Sequence, residues 1–456
     1  MSSREPIAKP LGITLCAALC LVLFPNVHAG ETRVSTKRSW KRVAEFLPDE
    51  RTQFDFRSDT PRDPKIPYIP AEPYPFTPPF TVEEIAYRMM NFSHNARWPH
   101  TLAESWGTIT KAGYLTSNVN VLRFSPTTNM AGVPGQIQTA PGDVFMRFAF
   151  YYTYPPRREH MQGLWVHRRT DKKQRTKIDS FLYMPDMRRV RRLPQPLRDV
   201  PITDMVPTFD DLIGRDAWEF SWHLIGSDVL LETVRFPTTR PIITLAHPDG
   251  RFYDVSTSDL RMMGDTYPFY TQDGGVPCLV LVAEPRKDWL PNYAASKLIY
   301  WIDRHYFFPL RIEQYDTRGE LRTVQVRLAK QENPAWGNEG YASLLTVYWD
   351  CRLDMTSYTL RDAHRVIDWT EEEAVVMFSP EFMRRSWLKY AQRTQSMVTS
   401  PKEFYLRPAL ELGKFPEERH VRLSLEVEER IRAQDAAGHL LFEVAVESDA
   451  SGSAAE

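Results

Sequence analysis

Between Trp106 and Ser357 the chain repeats one local pattern, and no other feature limits its fold as much. Short runs rich in aromatic and β-branched residues recur at intervals of roughly ten to fifteen residues, with turn residues between them. Strands joined by links this short pair antiparallel, because a parallel neighbour needs a crossover of about a dozen residues or more. The expected strands are Thr108–Ala112, Val119–Phe124, Asp143–Tyr152, Gly163–Arg169, Ser180–Met184, Trp218–Leu224, Val229–Phe236, Cys278–Glu284, Leu298–Asp303, Arg311–Tyr315, Thr323–Ala329, Ala342–Trp349 and Arg352–Ser357. In Asp143–Tyr152 strict alternation puts Val144, Met146, Phe148 and Phe150 on one face and Phe145, Arg147, Ala149 and Tyr151 on the other. Pro155-Pro156 ends that run, and Arg168–Lys177, Pro248-Asp249-Gly250 and Asp316–Glu320 read as turns. No fixed period of the kind that marks a solenoid or propeller runs through the chain. The expected class is α+β, with a large antiparallel sheet.

One segment breaks the strand pattern with a full helix signature. Thr81 and Glu84 form a capping box, and Val82, Ile85, Ala86, Met89 and Met90 recur on one helical face. A helix over Val82–Phe92 is expected, its apolar stripe packed on the concave side of the sheet. Glu371–Met377 and Pro380–Arg393 read as helical. Val421, Leu423, Leu425 and Val427 alternate within a C-terminal extension over 401–447, and 448–456 is a polar tail.

The N-terminus sets the compartment. Arg4 and Lys9 precede the apolar run Leu11–Phe24, and Val27-His28-Ala29 suits a signal peptidase, so residues 1–29 are expected to be cut after Ala29 and the chain to reach the periplasm. Residues 30–80 are charged and then proline-rich, an arm on composition, followed by the main domain over 81–400. Cys16 and Cys20 leave with the signal; Cys278 and Cys351 remain, and an oxidising compartment permits them to pair. A net charge of −1 lacks the broad basic field that nonspecific nucleic-acid binding needs.

The mature chain carries no nucleophile elbow, phosphate loop, dinucleotide fingerprint, H-E-x-x-H or C-x-x-C motif, so no catalytic residue, metal site or cofactor is expected. His160 and His167, seven residues apart with no carboxylate placed between them, read as turn or surface histidines, and Asp210-Asp211 as loop acids. The charged cluster with a plausible task is Arg188, Arg189, Arg191 and Arg192. Alternation would show cations on both faces, which suits a sheet edge or rim that meets anionic headgroups or an acidic partner.

LYMPDMRRVRRL (182–193) followed by FDDLIGRDAWEFSWHLIGSDVL (209–230) resembles the outer-membrane lipoprotein-sorting-like proteins of the domain of unknown function 1329 family. IYWIDRHYFFPLRIEQYDTRGEL (299–321) resembles a strand–turn–strand shared with the lipoprotein carriers LolA and LolB, and FSPEFMRRSWL (378–388) the family's closing region. The resemblance implies a curved, incomplete antiparallel β-barrel with helices on its concave side, holding a lipid, a lipoprotein acyl chain or another amphiphile. It also implies an exporter of the resistance–nodulation–division (RND) type or an outer-membrane protein as partner. An acyl chain requires an apolar lining, at about 0.8 kcal/mol per buried methylene. Phe148, Phe150, Tyr183 and Trp301 are the leading candidates for that lining, joined by Val144, Met146, Phe181 and Tyr300, with Met89 and Met90 as adaptable lid residues. The rival expectation is an accessory protein that docks an envelope transporter and carries no cargo.

Overall fold

The strand pattern builds one antiparallel sheet in this computed structural model. The structure describes residues 41–57, 76–91, 100–111, 115–125, 142, 144–170, 177–230, 242–246, 252–256, 276–304, 307–331, 341–366 and 376–383. In chain order the strands are β1 (Lys41–Arg42), β2 (His100–Ile109), β3 (Leu115–Ser125), β4 (Val144–Tyr154), β5 (Gln162–Arg168), β6 (Ile178–Met184), β7 (Arg189–Arg192), β8 (Phe220–Leu230), β9 (Ile242–Ala246), β10 (Phe252–Ser256), β11 (Val276–Pro285), β12 (Ala295–Asp303), β13 (Pro309–Asp316), β14 (Leu321–Gln331), β15 (Tyr341–Asp350) and β16 (Met355–Val366). The helices are α1 (Pro48–Arg51), α2 (Val82–Asn91), α3 (Phe209–Ile213) and α4 (Pro380–Met383). Fourteen strands share the order β1-β8-β11-β12-β13-β14-β15-β16-β2-β3-β4-β5-β6-β7, unclosed at β1 and β7, and β9 and β10 form a separate ribbon.

Most expected strands are present and run slightly longer. The hairpins close where the turn chemistry says: Gly319 takes φ +81° between β13 and β14, a backbone region open to glycine, and Asp316 N–H bonds the Glu320 carbonyl. Several boundaries differ for physical reasons. Strand β2 ends at Ile109, so the run expected over Thr108–Ala112 is the tail of a strand that begins at His100. Trp218 lies in a 3-10 turn, Ala217–Glu219, and the strands expected at Trp218–Leu224 and Val229–Phe236 are one strand, β8, as far as it is described. Gly226 and Ser227 do not break it, because β1 and β11 flank them on either side. Arg352 belongs to a turn, with β16 starting at Met355. In β4 a bulge between Val144 and Met146 turns Val144 to the face opposite Met146, Phe148 and Phe150.

The segment read as a surface arm also needs correction. Lys41 and Arg42 pair with Ser227 and Gly226, and Phe46 and Phe54 are buried among residues of α2, β8, β11 and β12. Average composition over 30–80 hid these phenylalanines. The signal segment, the proline-rich stretch 58–75, the Pro248-Asp249-Gly250 turn and everything after residue 383 lie outside the described residues, as does most of the expected helix pair near 371–393.

The sheet is rolled, and side-chain contacts show it. In the sheet order β12 is fourth and β6 thirteenth, nine spacings apart, or about 43 Å if the sheet were flat. Yet Tyr293, just before β12, donates its hydroxyl to Asp210 Oδ2 at 2.7 Å, and Lys177, just before β6, holds its Nζ 3.8 Å from Asp210 Oδ1. One carboxylate therefore bridges residues that adjoin strands nine positions apart. It belongs to a strap, residues 198–219, whose part from Asp204 to Ile213 crosses the inside of the roll.

Apolar clusters divide by face. On the inner face α2 buries Ile85, Ala86, Met89 and Met90 against Leu279, Leu281, Leu298, Tyr300 and Ile312. The Thr81–Glu84 capping box that starts this helix is closed in both directions. Further round the roll, Val121, Met146, Phe148 and Phe150 pack with Trp106, Trp165 and the strap's Phe209, Leu212 and Ile213. The opposite face of β3–β6 is covered instead by Met383 of α4 and by Phe378 in the turn before it. Helices thus lie on both faces, not on the concave side alone.

Candidate functional site

The six residues expected to line one cavity do not share a lining. Phe148 and Phe150 form an aromatic wall on β4, with ring centroids 6.1 Å apart, and Phe150 lies 4.9 Å from Trp165 and 5.5 Å from Trp106 in edge-on contacts. Met89 and Met90 are also on the inner face but sit fully within the α2 core. Tyr183 packs on the other side of the same strands, with Leu164 and Tyr151. Trp301 points away from its neighbour Tyr300, donates its indole N–H to Asp228 at 3.2 Å and lies beside the Arg311 guanidinium. Alternation on β12 makes Tyr300 the inward residue.

The strap over the aromatic wall is held mainly by polar contacts. Thr108 Oγ1 on β2 donates to the Asp204 carbonyl at 2.8 Å, and Val206 N–H donates to Ser357 Oγ on β16 at 2.8 Å. Thr208 caps α3, accepting from Asp211 N–H while its own N–H donates to Asp211 Oδ2, and Gln314 on β13 donates to Asp211 Oδ1.

At the strap's ends lies a buried ionic cluster of four cations and four carboxylates: Arg169, Lys177, Arg198 and Arg215 with Asp210, Asp211, Asp216 and Glu219. Arg198 Nε donates to both Asp210 oxygens, at 2.8 and 3.0 Å, and its two terminal nitrogens clasp Glu219. Arg169 bonds Asp216 Oδ1 at 2.9 Å, and Thr170 donates twice to Oδ2. Burial alone would raise the Asp216 pKa; Lys177, Arg169 and the Thr170 bonds outweigh it and bring it down to about 2. Burial would likewise raise Asp210, but Arg198, Lys177 and Arg215 leave it below its ordinary value. For Lys177 burial and nearby Arg198 win, and its pKa is lowered. Its ammonium has carboxylates at 3.7, 3.8 and 4.0 Å and makes no hydrogen bond.

Sequence reading missed this cluster, apart from treating Asp210-Asp211 as loop acids. The signal available was local: Asp210, Asp211, Arg215, Asp216 and Glu219 interleave with Phe209, Ile213 and Trp218, unlike a solvated loop. Beside the cluster a cavity of about 170 Å³ is lined by Thr170, Arg198, Glu219, Trp289, Leu290 and Tyr293, among others.

Three of the four arginines, Arg189, Arg191 and Arg192, lie on β7. Among the described residues, strand β7 ends the sheet and pairs only with β6. Arg188 lies in the preceding turn with φ +49°, outside the strand alternation. Arg192 pairs with Asp179 at 2.5 Å, whereas among the described residues Arg191 reaches only the Met187 sulfur, at 3.3 Å.

Cys278 and Cys351 are free thiols. The first is on β11 and the second follows β15, four spacings away in the sheet order, or about 19 Å along the sheet against the ~7 Å limit for a bridge. The permitted disulfide is therefore absent. His160 pairs with the Tyr151 hydroxyl in a turn, while His167 is buried against Phe148, so the two histidines do not converge. Among the described residues no group of three or more His, Cys, Asp and Glu side chains is placed to share a metal ion.

Comparison with known proteins adds the family. Similar solved structures include a domain described as an outer-membrane lipoprotein-sorting protein from Vibrio parahaemolyticus, at 15% identity and a TM-score of 0.42, covering 66% of this chain and 98% of that one. A DUF1329 protein from Desulfovibrio piger matches at 12% identity and 0.42, covering 65% and 95%. A LolA superfamily protein from Nitrosomonas europaea matches at 9% and 0.38, covering 66% and 99%. No curated protein matches the chain. The family model described as protein of unknown function (DUF1329) matches residues 68–384, more than half of the chain, and the chain belongs to that family.

Proposed function

We propose that the protein is a non-enzymatic periplasmic carrier that takes up a lipid or other amphiphile on the inner face of its rolled sheet. The observation that supports this most is the aromatic wall of Trp106, Phe148, Phe150 and Trp165, lying inside the roll under a strap that meets it through Phe209, Leu212 and Ile213. A ligand pocket for a drug-sized molecule spans about 300 to 1,000 Å³, larger than the cavity of about 170 Å³ beside the ionic cluster. Loading in this reading shifts the strap, so that an acyl chain replaces its apolar side chains on the wall. Phe148 and Phe150 are the lining residues of this proposal, and Met89 and Met90 support the inner face from α2.

The test is quenching of tryptophan fluorescence by a brominated fatty acid, with Trp165→Phe as the reporter control. Saturable quenching that falls in the Trp165→Phe protein is expected. No quenching at any lipid concentration would sink the carrier reading.

A second reading is an accessory protein docked to an envelope transporter such as an RND-type exporter. It is favoured by the complete burial of Met89 and by Met90 at 4% exposure, which leaves these residues as core. In that case the inner face stays filled and lipid uptake is absent.

A further inference from the structure

The sheet's last edge carries a second surface that the carrier reading does not use. On β7 alternate residues share a face. Val190 and Arg192 turn toward the face where Tyr183 and Phe181 pack, and Asp179 neutralises Arg192 there. Arg189 and Arg191 take the other side. Leu193 continues the ladder, donating its N–H to the Ser180 carbonyl, so it falls in line with Arg189 and Arg191. That gives a row of cation, cation and leucine along an edge that no other strand pairs with among the described residues.

Burial and charge mark the row as unusual. Leu193 is 39% exposed, Leu197 72% and Val200 45%, three of the six large hydrophobic residues exposed among the described residues. All three fall within eight residues that directly follow the arginine strand. Arg188, Arg189 and Arg191 are exposed, and none has a carboxylate within ion-pairing distance among the described residues. The backbone edge itself is only four residues long, which suits strand addition by a protein partner poorly. Interleaved arginines and protruding aliphatic side chains instead match a bilayer interface, where guanidinium groups meet phosphates and leucines enter the acyl boundary.

We propose that the β7 edge and the following residues to Val200 dock the protein on an anionic phospholipid membrane. Arg188, Arg189 and Arg191 contact headgroup phosphates, and Leu193, Leu197 and Val200 insert. Leu193 lies opposite Ser180, which lies opposite Trp165, so the docking row borders the aromatic wall on the same face of the sheet, and vesicle binding and cargo uptake are read by separate assays.

The experiment is co-sedimentation of the secreted chain with phosphatidylcholine vesicles, with and without phosphatidylglycerol. Binding is expected only to the anionic vesicles, and added salt weakens it. At about 1 kcal/mol per arginine near such a surface, Arg189→Gln with Arg191→Gln lowers the affinity roughly 30-fold. Leu193→Ser with Leu197→Ser also weakens binding, whereas Leu353→Ser, at an exposed leucine in the β15–β16 turn, leaves it unchanged. All variants are compared at equal thermal midpoints, and brominated-lipid quenching is read in parallel, where the arginine variant retains uptake. Equal binding to both vesicle types, unchanged binding of the arginine variant, or arginine-dependent capture of an acidic protein without vesicle binding overturns the proposal.

Discussion

Replacing Arg198 with methionine tests the strap's attachment. The side chain's stem is kept, but its guanidinium bonds to Asp210 and Glu219 are lost. Four cations then become three against four carboxylates, leaving one uncompensated negative charge in a buried site. Breaking a buried ion pair from one side costs about 3 to 5 kcal/mol. Against a typical total of about 5 to 15 kcal/mol, that is a large share. Urea unfolding at pH 7 reads it as a lower midpoint with an unchanged slope. A cycle with Glu219→Gln should show the double variant losing less than the sum of the singles, because the two changes remove one shared interaction. Raising salt should alter the loss little, since buried pairs are poorly screened. A loss under about 1 kcal/mol, the scale of an exposed pair, would refute the picture of a buried clasp.

Three further outcomes follow from single residues. Asp216 has a pKa brought down to about 2, below its unfolded value of 3.8, so its stabilisation is full above that value and fades as pH falls toward 2. Urea unfolding between pH 7 and pH 2 should show about 2 kcal/mol of acid-dependent loss that Asp216→Asn lacks. Gly107→Ala would bring a Cβ to 2.3 Å from the Tyr358 ring, which is completely buried, so the thermal midpoint should fall, corresponding to about 1 to 3 kcal/mol. Burial pushes the Cys278 thiol well up, and burial followed by Glu313 pushes Cys351 up to about 12. A chain lacking residues 1–29 should therefore leave both thiols unmodified by Ellman's reagent at pH 8 until denaturant is added, and rapid native labelling would contradict this burial.

Sequence reached some features and not others for identifiable reasons. Strands β11 to β14 were legible because their apolar runs are bounded by recognisable turns such as Asp316–Glu320. Helix α2 was legible because its cap and stripe are both local. The bulge in β4 was hidden, since Val144, Phe145 and Met146 are apolar whichever face they take. Inward and outward faces were equally hidden, so Tyr183 and Trp301 were grouped with Phe148 although they point elsewhere. The ionic cluster joins Lys177 to Asp210 and Asp210 to Tyr293 across long sequence separations, and charge type alone does not announce such partners. The β7 edge was the reverse case. Its arginine density was visible in the sequence, but only the fold shows that Arg192 is neutralised and that Leu193 lines up with Arg189 and Arg191.

Native mass spectrometry of the full chain purified from its native cells without detergent tests cargo binding most directly. The carrier account predicts a bound amphiphile that solvent extraction removes and added lipid restores, with Phe148→Asp remaining folded and unloaded. Repeated recovery of the folded chain without any bound amphiphile, and without uptake of added lipid, would contradict it.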